Sequence, residues 1–335
     1  MTALGTYLRK LTLLSLAGCV LSALATVSIA LAAPPLTVRV SVSSSGAEGN
    51  SPSSNYSSAI SAKHRYVAFD SSASNLVEGD SNDAIDIFVR DLKKGVTQRV
   101  SVDNTGVEGN SISYYPALSA NGRYVAFYSY ASNLIEGDHN DSSDIFVRDL
   151  KKGLTQRVSV SSEEIEANYG VDFETPALSA NGRYVAFYSY ASNLVPGDDN
   201  GFSDLFVRDL KKGVTQRVFL DGVRGTPYGY FPVYSPSISA NGRFVTFTST
   251  YGAGALMGCS TGFCSYTTNV VVYNLKTGVT KIVSDDPEAA NNKAILSYSP
   301  SISASGRYIS FGSTSSNLVE EDNNGVSDVF VRRMW

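Results

Sequence analysis

From Leu36 to Trp335 the chain is a succession of short apolar runs separated by turns rich in Gly, Asn, Asp and Ser. Tyr124-Val125-Ala126-Phe127-Tyr128 is apolar on both faces, which predicts a strand in a sheet sandwiched between two others. Directly before it stands Asn121-Gly122, a pair suited to a two-residue hairpin turn in which both central residues tolerate positive φ. One strand is predicted ahead of that turn and a third at Asp144-Ile145-Phe146-Val147-Arg148-Asp149-Leu150. A fourth follows the Lys151-Lys152-Gly153 turn, from Thr155 to Val160.

This four-strand unit recurs five times. Its anchors begin at Ser61, Ser119, Ser179, Ser239 and Ser303, at intervals of 58, 60, 60 and 64 residues, and Leu118 to Leu134 is identical to Leu178 to Leu194. The units span about 55–100, 113–160, 173–220, 233–284 and 297–335. Four-stranded units repeated around an axis make a propeller, in which radial closure hides most strand edges. The expected fold is therefore all-β: a single five-bladed β-propeller of four-stranded antiparallel blades over residues 33–335. The last unit stops after Asp328-Val329-Phe330-Val331-Arg332, its third strand, whereas Leu36-Thr37-Val38-Arg39-Val40-Ser41-Val42 has the fourth-strand pattern. The N-terminal strand 36–42 is expected to complete the last blade.

Ser-Ala-Asn-Gly-Arg-Tyr-Val-Ala-Phe followed by Asp-Ile-Phe-Val-Arg-Asp-Leu resembles the propeller repeat of TolB-like proteins, bacterial relatives of WD repeats. The resemblance runs over Leu36 to Trp335 and implies a propeller in the bacterial envelope. TolB itself typically has six blades and an additional N-terminal α/β domain, whereas five units are read here.

Composition narrows the classes. The 335 residues are 43% apolar, and 20 Tyr and 15 Phe against one Trp suit short strands rather than helices. Net charge is −4 and no basic block exceeds a Lys-Lys pair, so the field needed to hold a nucleic acid is missing. Arg9 and Lys10 precede an apolar stretch ending in Ala30-Leu31-Ala32, which reads as a signal peptide (1–32) cleaved after Ala32. Leu16-Ala17-Gly18-Cys19 also fits a lipobox that would lipidate Cys19, and the apolar stretch is long enough for an uncleaved anchor. Each reading puts the remaining chain in the periplasm or outside the cell. Export makes a local Cys259–Cys264 disulfide the expectation, since four zinc ligands are not at hand.

The turns between strands one and two and between three and four share one face of a propeller. That face is expected to be basic, carrying Arg65, Arg123, Arg183, Arg243 and Arg307 with Lys93-Lys94, Lys151-Lys152, Lys211-Lys212 and Lys276. The opposite face is expected to be acidic. There the loop between strands two and three repeats a set of oxygen ligands: Asp80, Asn82 and Asp86; Asp138, Asn140 and Asp144; Asp198, Asn200 and Asp204; Asp322, Asn324 and Asp328. These could hold calcium, although Asx-turns that cap backbone N–H groups account for the same residues. The fourth unit breaks the motif, with Asn269 before its third strand and both late cysteines in its loop.

Tyr56, Tyr114, Tyr234 and Tyr298 each stand five residues before their Ser-Ala pair, with Glu174 in the third unit. They read either as a ligand-binding ring at the channel mouth or as wedge packing between blades. Gly258-Cys259-Ser260-Thr261-Gly262 matches a nucleophile elbow but lacks the strand-turn-helix context and a downstream histidine. His64 and His139 read as solvated turn residues. No catalytic residue is assigned. The expected function is a monomeric, non-enzymatic module that binds an envelope or extracellular protein or a glycan. The alternative is a carbohydrate-active hydrolase with channel-mouth carboxylates.

Overall fold

A computed structural model describes residues 37–218, 236–250, 268–285 and 295–335. The signal segment, Cys19, Cys259, Cys264 and Tyr234 lie outside them. The chain divides into a unit Met1–Val38 and a unit Arg39–Trp335, and every sheet belongs to the second.

All regular structure among the described residues is β. The first sheet holds β1 (Ser53–Ile60), β2 (Tyr66–Ser71), β3 (Asp86–Asp91) and β4 (Val96–Arg99). The second holds β5 (Ser113–Leu118), β6 (Tyr124–Ser129), β7 (Asp144–Asp149) and β8 (Leu154–Arg157). The third comprises β9 (Ala177–Leu178), β10 (Tyr184–Ser189), β11 (Asp204–Asp209) and β12 (Val214–Val218). β13 (Ser237–Ile238), β14 (Phe244–Thr250), β15 (Thr268–Asn274) and β16 (Val279–Ile282) make the fourth. The fifth has three strands: β17 (Ser297–Ile302), β18 (Tyr308–Ser313) and β19 (Asp328–Arg333). Every sheet is antiparallel and ordered as in the chain.

The second and third strands are buried because each sheet packs against its neighbours in sequence order. Ala68, Ile87 and Val89 of the first sheet meet Val125, Phe127 and Phe146 of the second. Ala126, Tyr128 and Val147, on the other face of that second sheet, meet Val185, Phe187 and Phe206 of the third. The same alternation joins the third sheet to the fourth and the fourth to the fifth.

Two repeated contacts set the spacing. Ala62 N–H donates to Ala120 O at 3.0 Å, Ala120 N–H to Ala180 O at 3.0 Å and Ala240 N–H to Ala304 O at 3.1 Å. Beside them, the tyrosine that opens the second strand of one sheet lies on the turn glycine of the next. A Cβ on Gly182 would stand 2.1 Å from Tyr124 Cδ2, and its φ of +72° is unfavourable for a side chain as well. Asn-Gly thus serves both the hairpin and the seam between sheets. In the first unit His64 takes the glycine position, at a φ of +53°.

The third-strand arginines hold the end of the preceding unit. Arg148 Nη1 donates to Asp103 O at 2.7 Å, Arg208 Nη1 to Ser161 O at 2.8 Å and Arg332 Nη1 to Val283 O at 2.9 Å. Arg90 does the same to Ser43 O at 2.9 Å, which docks the N-terminal segment on the first sheet as the end of one unit docks on the next.

The predicted closing strand is not formed among the described residues. The ladders stop at Arg99 and Arg157, and the following residues are connector, in which Val102 bridges Glu108 and Val160 bridges Glu166. Val42 bridges Glu48 in the same way, so Val40-Ser41-Val42 is connector too. Residues 37–40 form no strand, and β19 has only β18 beside it among the described residues. Val329 and Val331 are accordingly 81% and 67% exposed.

Gly182→Ala is expected to cost about 2–5 kcal/mol, from the left-handed backbone and the displaced Tyr124 ring together. Urea unfolding measures it, and a loss no larger than that of Gly137→Ala would show that the ring contact is unimportant. A Cβ at Gly137 has the left-handed φ but meets nothing nearer than 3.6 Å.

Candidate functional site

The loop between the second and third strands is built by its asparagine. Asn82 Oδ1 accepts from Ala84 N–H at 2.9 Å while its Nδ2 donates to Asp86 Oδ2 at 3.0 Å. Asn140, Asn200 and Asn324 repeat both bonds with Asp144, Asp204 and Asp328. The asparagine oxygen thus closes an Asx-turn, and the amide turns a nitrogen toward the carboxylate.

A positive charge is already present at the centre of the cluster. Arg99, the last residue of β4, places Nη1 3.1 Å from Asp80 Oδ1, 3.1 Å from Asp86 Oδ2 and 2.6 Å from Glu108 Oε2. Arg157 lies 3.2 Å from Asp138, 3.1 Å from Asp144 and 2.9 Å from Glu166. Arg217 lies 2.5 Å from Asp198 and 3.3 Å from Asp204. Asp80, Asp86 and Glu108 do sit close enough together to hold a metal ion, but the guanidinium stands among them. At Asp80, Asn82, Asp86, Asp138, Asn140, Asp144, Asp198, Asn200 and Asp204, the residues of the calcium expectation, the positive charge that the structure places beside the carboxylates is an arginine.

The first two clasps are also tied to the ladder. Ser101 Oγ donates to Asp86 Oδ1 at 2.5 Å and accepts from Ile87 N–H at 3.0 Å, and Ser159 does the same for Asp144 and Ile145. Burial pushes Asp80 and Asp144 up to about 6 despite the arginine, and shifts Asp86 and Asp138 upward. Asp198 also rises to about 6, from burial and then from the charge of Asp204. In the fourth unit both charges are gone together: Asn269 replaces the aspartate, Ile282 the arginine, and Ser284 Oγ donates to Asn269 Oδ1 at 3.1 Å. A buried arginine without its carboxylate, or the reverse, would be strongly destabilising, so paired loss is the tolerable change.

The opposite face is less basic than its sequence suggests. Arg65 donates to both oxygens of Asp91, at 3.0 and 2.7 Å, and Arg123 and Arg183 do the same to Asp149 and Asp209. The bonds from Arg65 hold the Asp91 carboxyl down at about 2. Each of these guanidinium carbons also lies 4.8 Å from the centroid of the adjacent tyrosine. In the last two units Asn274 and Arg333 take the aspartate position, leaving Arg243 and Arg307 without that partner.

Among the described residues the aromatic positions differ in their surroundings. Tyr114 is 8% exposed and packs edge-on against Phe173 at 5.2 Å, in the core between the second and third sheets. Tyr298 lies over Gly312 and bonds through its hydroxyl to Ser327. Glu174 is half-buried, and the side chain of Tyr56 is outside the described residues. Wedge packing therefore describes Tyr114. His64 and His139 are exposed turn residues, as expected.

Arg99, Arg157 and Arg217 escaped the sequence reading. The signal was present in the repeated Thr-Gln-Arg-Val of the fourth strand and in its joint disappearance with the aspartate at Ile282 and Asn269.

These features define a repeat protein of four-stranded antiparallel sheets that pack in sequence order and are joined by buried arginine clasps. Among solved structures it is similar to TolB-like β-propellers. TolB from Acinetobacter baumannii shares 15% identity over 80% of this chain and 52% of its own, with a TM-score of 0.42. A putative TolB from Agrobacterium tumefaciens shares 13% over 85% of this chain and 78% of its own, at 0.46. The propeller domain of the Trilobed protease from Pyrococcus furiosus shares 10% over 84% and 69%, at 0.48. The chain spans about half the length of the Acinetobacter protein. No protein-family model and no curated protein matches it.

Arg157→Ile is expected to cost about 3–5 kcal/mol, because it leaves Asp138, Asp144 and Glu166 buried without a counter-ion. Adding Asp144→Asn, the combination found naturally in the fourth unit, should recover roughly half of that loss. A double-mutant cycle by urea unfolding reads the coupling, and simple additivity would show that the clasp is not a unit.

Proposed function

We propose that the protein is an exported five-bladed propeller that binds a protein or glycan outside the cytoplasm and catalyses no reaction. The observation carrying this reading is that the repeated carboxylates of the first three units are held by structural arginines: Asp80 and Asp86 by Arg99, Asp138 and Asp144 by Arg157, Asp198 and Asp204 by Arg217. Catalysis by a carboxyl pair needs unlike members, one held protonated and one ionised, whereas these clasps are copies. The hydrolase alternative draws on the carboxyls lifted to about 6, a range suited to a general acid.

Ring closure belongs to the same proposal. Arg39 corresponds by position to Arg99, and it already pairs with Glu48, the counterpart of Glu108. Asp328 has its Asn324 partner at 2.7 Å but pairs with no arginine among the described residues. Pairing Leu36–Arg39 with β19 would bring the arginine of one half-clasp to Asp322 and Asp328 of the other, and would cover Val329 and Val331. Export fits the apolar leader, and no described helix is long and apolar enough to cross a membrane.

The test uses protein recovered from its native host, after its mass has shown whether it begins at residue 33 or at a lipidated Cys19. It is applied to a glycan array, used for pull-down from envelope extracts, and incubated with polysaccharide substrates. Saturable binding without product is expected. Product formation abolished by Asp144→Asn would establish the hydrolase instead, and a clean negative in all three arms would leave a structural role.

A further inference from the structure

Besides the lost clasp, the last two sheets depart from the charge pairing of the first three at the turn arginines. Asn274 stands where Asp91, Asp149 and Asp209 hold their turn arginines, so Arg243 has lost its carboxylate and lies over the Phe244 ring at 5.2 Å. Lys281 stands where the other units have Gln98, Gln156 and Gln216, which adds a charge at the same level of the sheet. Arg307, from the next turn, faces the same hollow, and among the described residues no Asp or Glu lines it. Trp335 stacks on Phe244 with ring centroids 4.4 Å apart, and Lys281 Nζ lies 5.6 Å from the Trp335 centroid. The hollow has a volume of about 530 Å³, within the range of small-molecule sites.

Three cations converging without a counter-ion would repel one another unless solvent or a bound anion screens them. Neutral donors and acceptors, from Asn241, Asn274, Thr277 and Ser305, surround them and match hydroxyl groups. An aromatic surface completes the set, offering an apolar face to a sugar ring.

We propose that this hollow between the fourth and fifth sheets binds an acidic saccharide. Arg243, Lys281 and Arg307 hold its carboxylate or sulfate, the asparagines bond its hydroxyls, and Trp335 and Phe244 border its ring. The inference rests on the binding-module reading and names its ligand class. The cavity lies on the face of the inter-strand turns, away from the arginine clasps.

Trp335 is the only tryptophan in the chain, so its fluorescence reports on the site directly. The titrants are trigalacturonate, a sulfated disaccharide, neutral maltotriose and inorganic sulfate, at low salt. A saturable change is expected with at least one acidic saccharide and none with maltotriose, and binding should be about tenfold weaker in Arg243→Gln. Asn274→Asp restores the counter-ion that the first three units possess, and it should abolish binding while leaving the melting temperature unchanged or higher. That second variant keeps the test decisive if Arg243→Gln misfolds. Silence with both acidic saccharides, an equal response to inorganic sulfate, or unchanged titration in Asn274→Asp would overturn the assignment. Loss of this site with retained array binding elsewhere would reject the pocket and spare the module.

Discussion

A buried guanidinium between two aspartates recurs at the outer corner of three sheets, and the attachment of the outer strands depends on it. Arg99 and Arg157 each join the end of the fourth strand, the loop between the second and third, and a glutamate of the connector to the next unit. A short outer strand has little apolar surface of its own; Val96 and Leu154 are 43% and 47% exposed. It is therefore held by an ionic contact that only the correct register provides. Charge pairs of this kind are expensive to bury and still more expensive to break, which makes them devices of register more than of net stability.

The architecture was legible because the repeat is written in residues with narrow conformational roles. Asn121-Gly122 and Asn181-Gly182 mark hairpins, and the twofold-apolar Tyr-Val-Ala-Phe-Tyr marks a strand between sheets. The Asx-turn reading of Asn82, Asn140, Asn200 and Asn324 was also within reach, since an Asn two residues before a turn N–H has a local geometry. The arginine beside the aspartates was not. A strand-four arginine some 13 to 19 residues beyond its aspartates is invisible to a motif search confined to one loop. The two readings of the tyrosines stayed open for a related reason: five-residue spacing from Ser-Ala fixes the position of Tyr114 on its strand, but only packing with Phe173 of the next unit decides which way it is covered.

The departures from the repeat carry the information that the repeat itself cannot. The fourth unit surrenders the charged clasp as a pair, at Asn269 and Ile282, and surrenders half of the opposite Arg–Asp contact, at Asn274. The first change is neutral in charge and reads as structural. The second leaves cations uncompensated, which is costly for folding alone and places the functional candidate where the pattern is broken asymmetrically. His64, in a glycine position, and the exposed Tyr308 and Val329 mark a second irregularity at the two ends of the series.

Under the closure proposed above, the clasp would join those ends as well. In the proposed ring Arg39 and Glu48 would supply one half of it and Asp322 and Asp328 the other, with residues 36–39 running beside β19. By the register of β3 with β4, in which Val89 faces Gln98, Val38 would face Val331. The direct measurement is oxidative cross-linking of a Val38→Cys, Val331→Cys variant, read by peptide mapping. Closure predicts an intramolecular disulfide between residues 38 and 331 in the folded protein. Persistently free thiols at both positions, in a variant that melts like the parent, would contradict it.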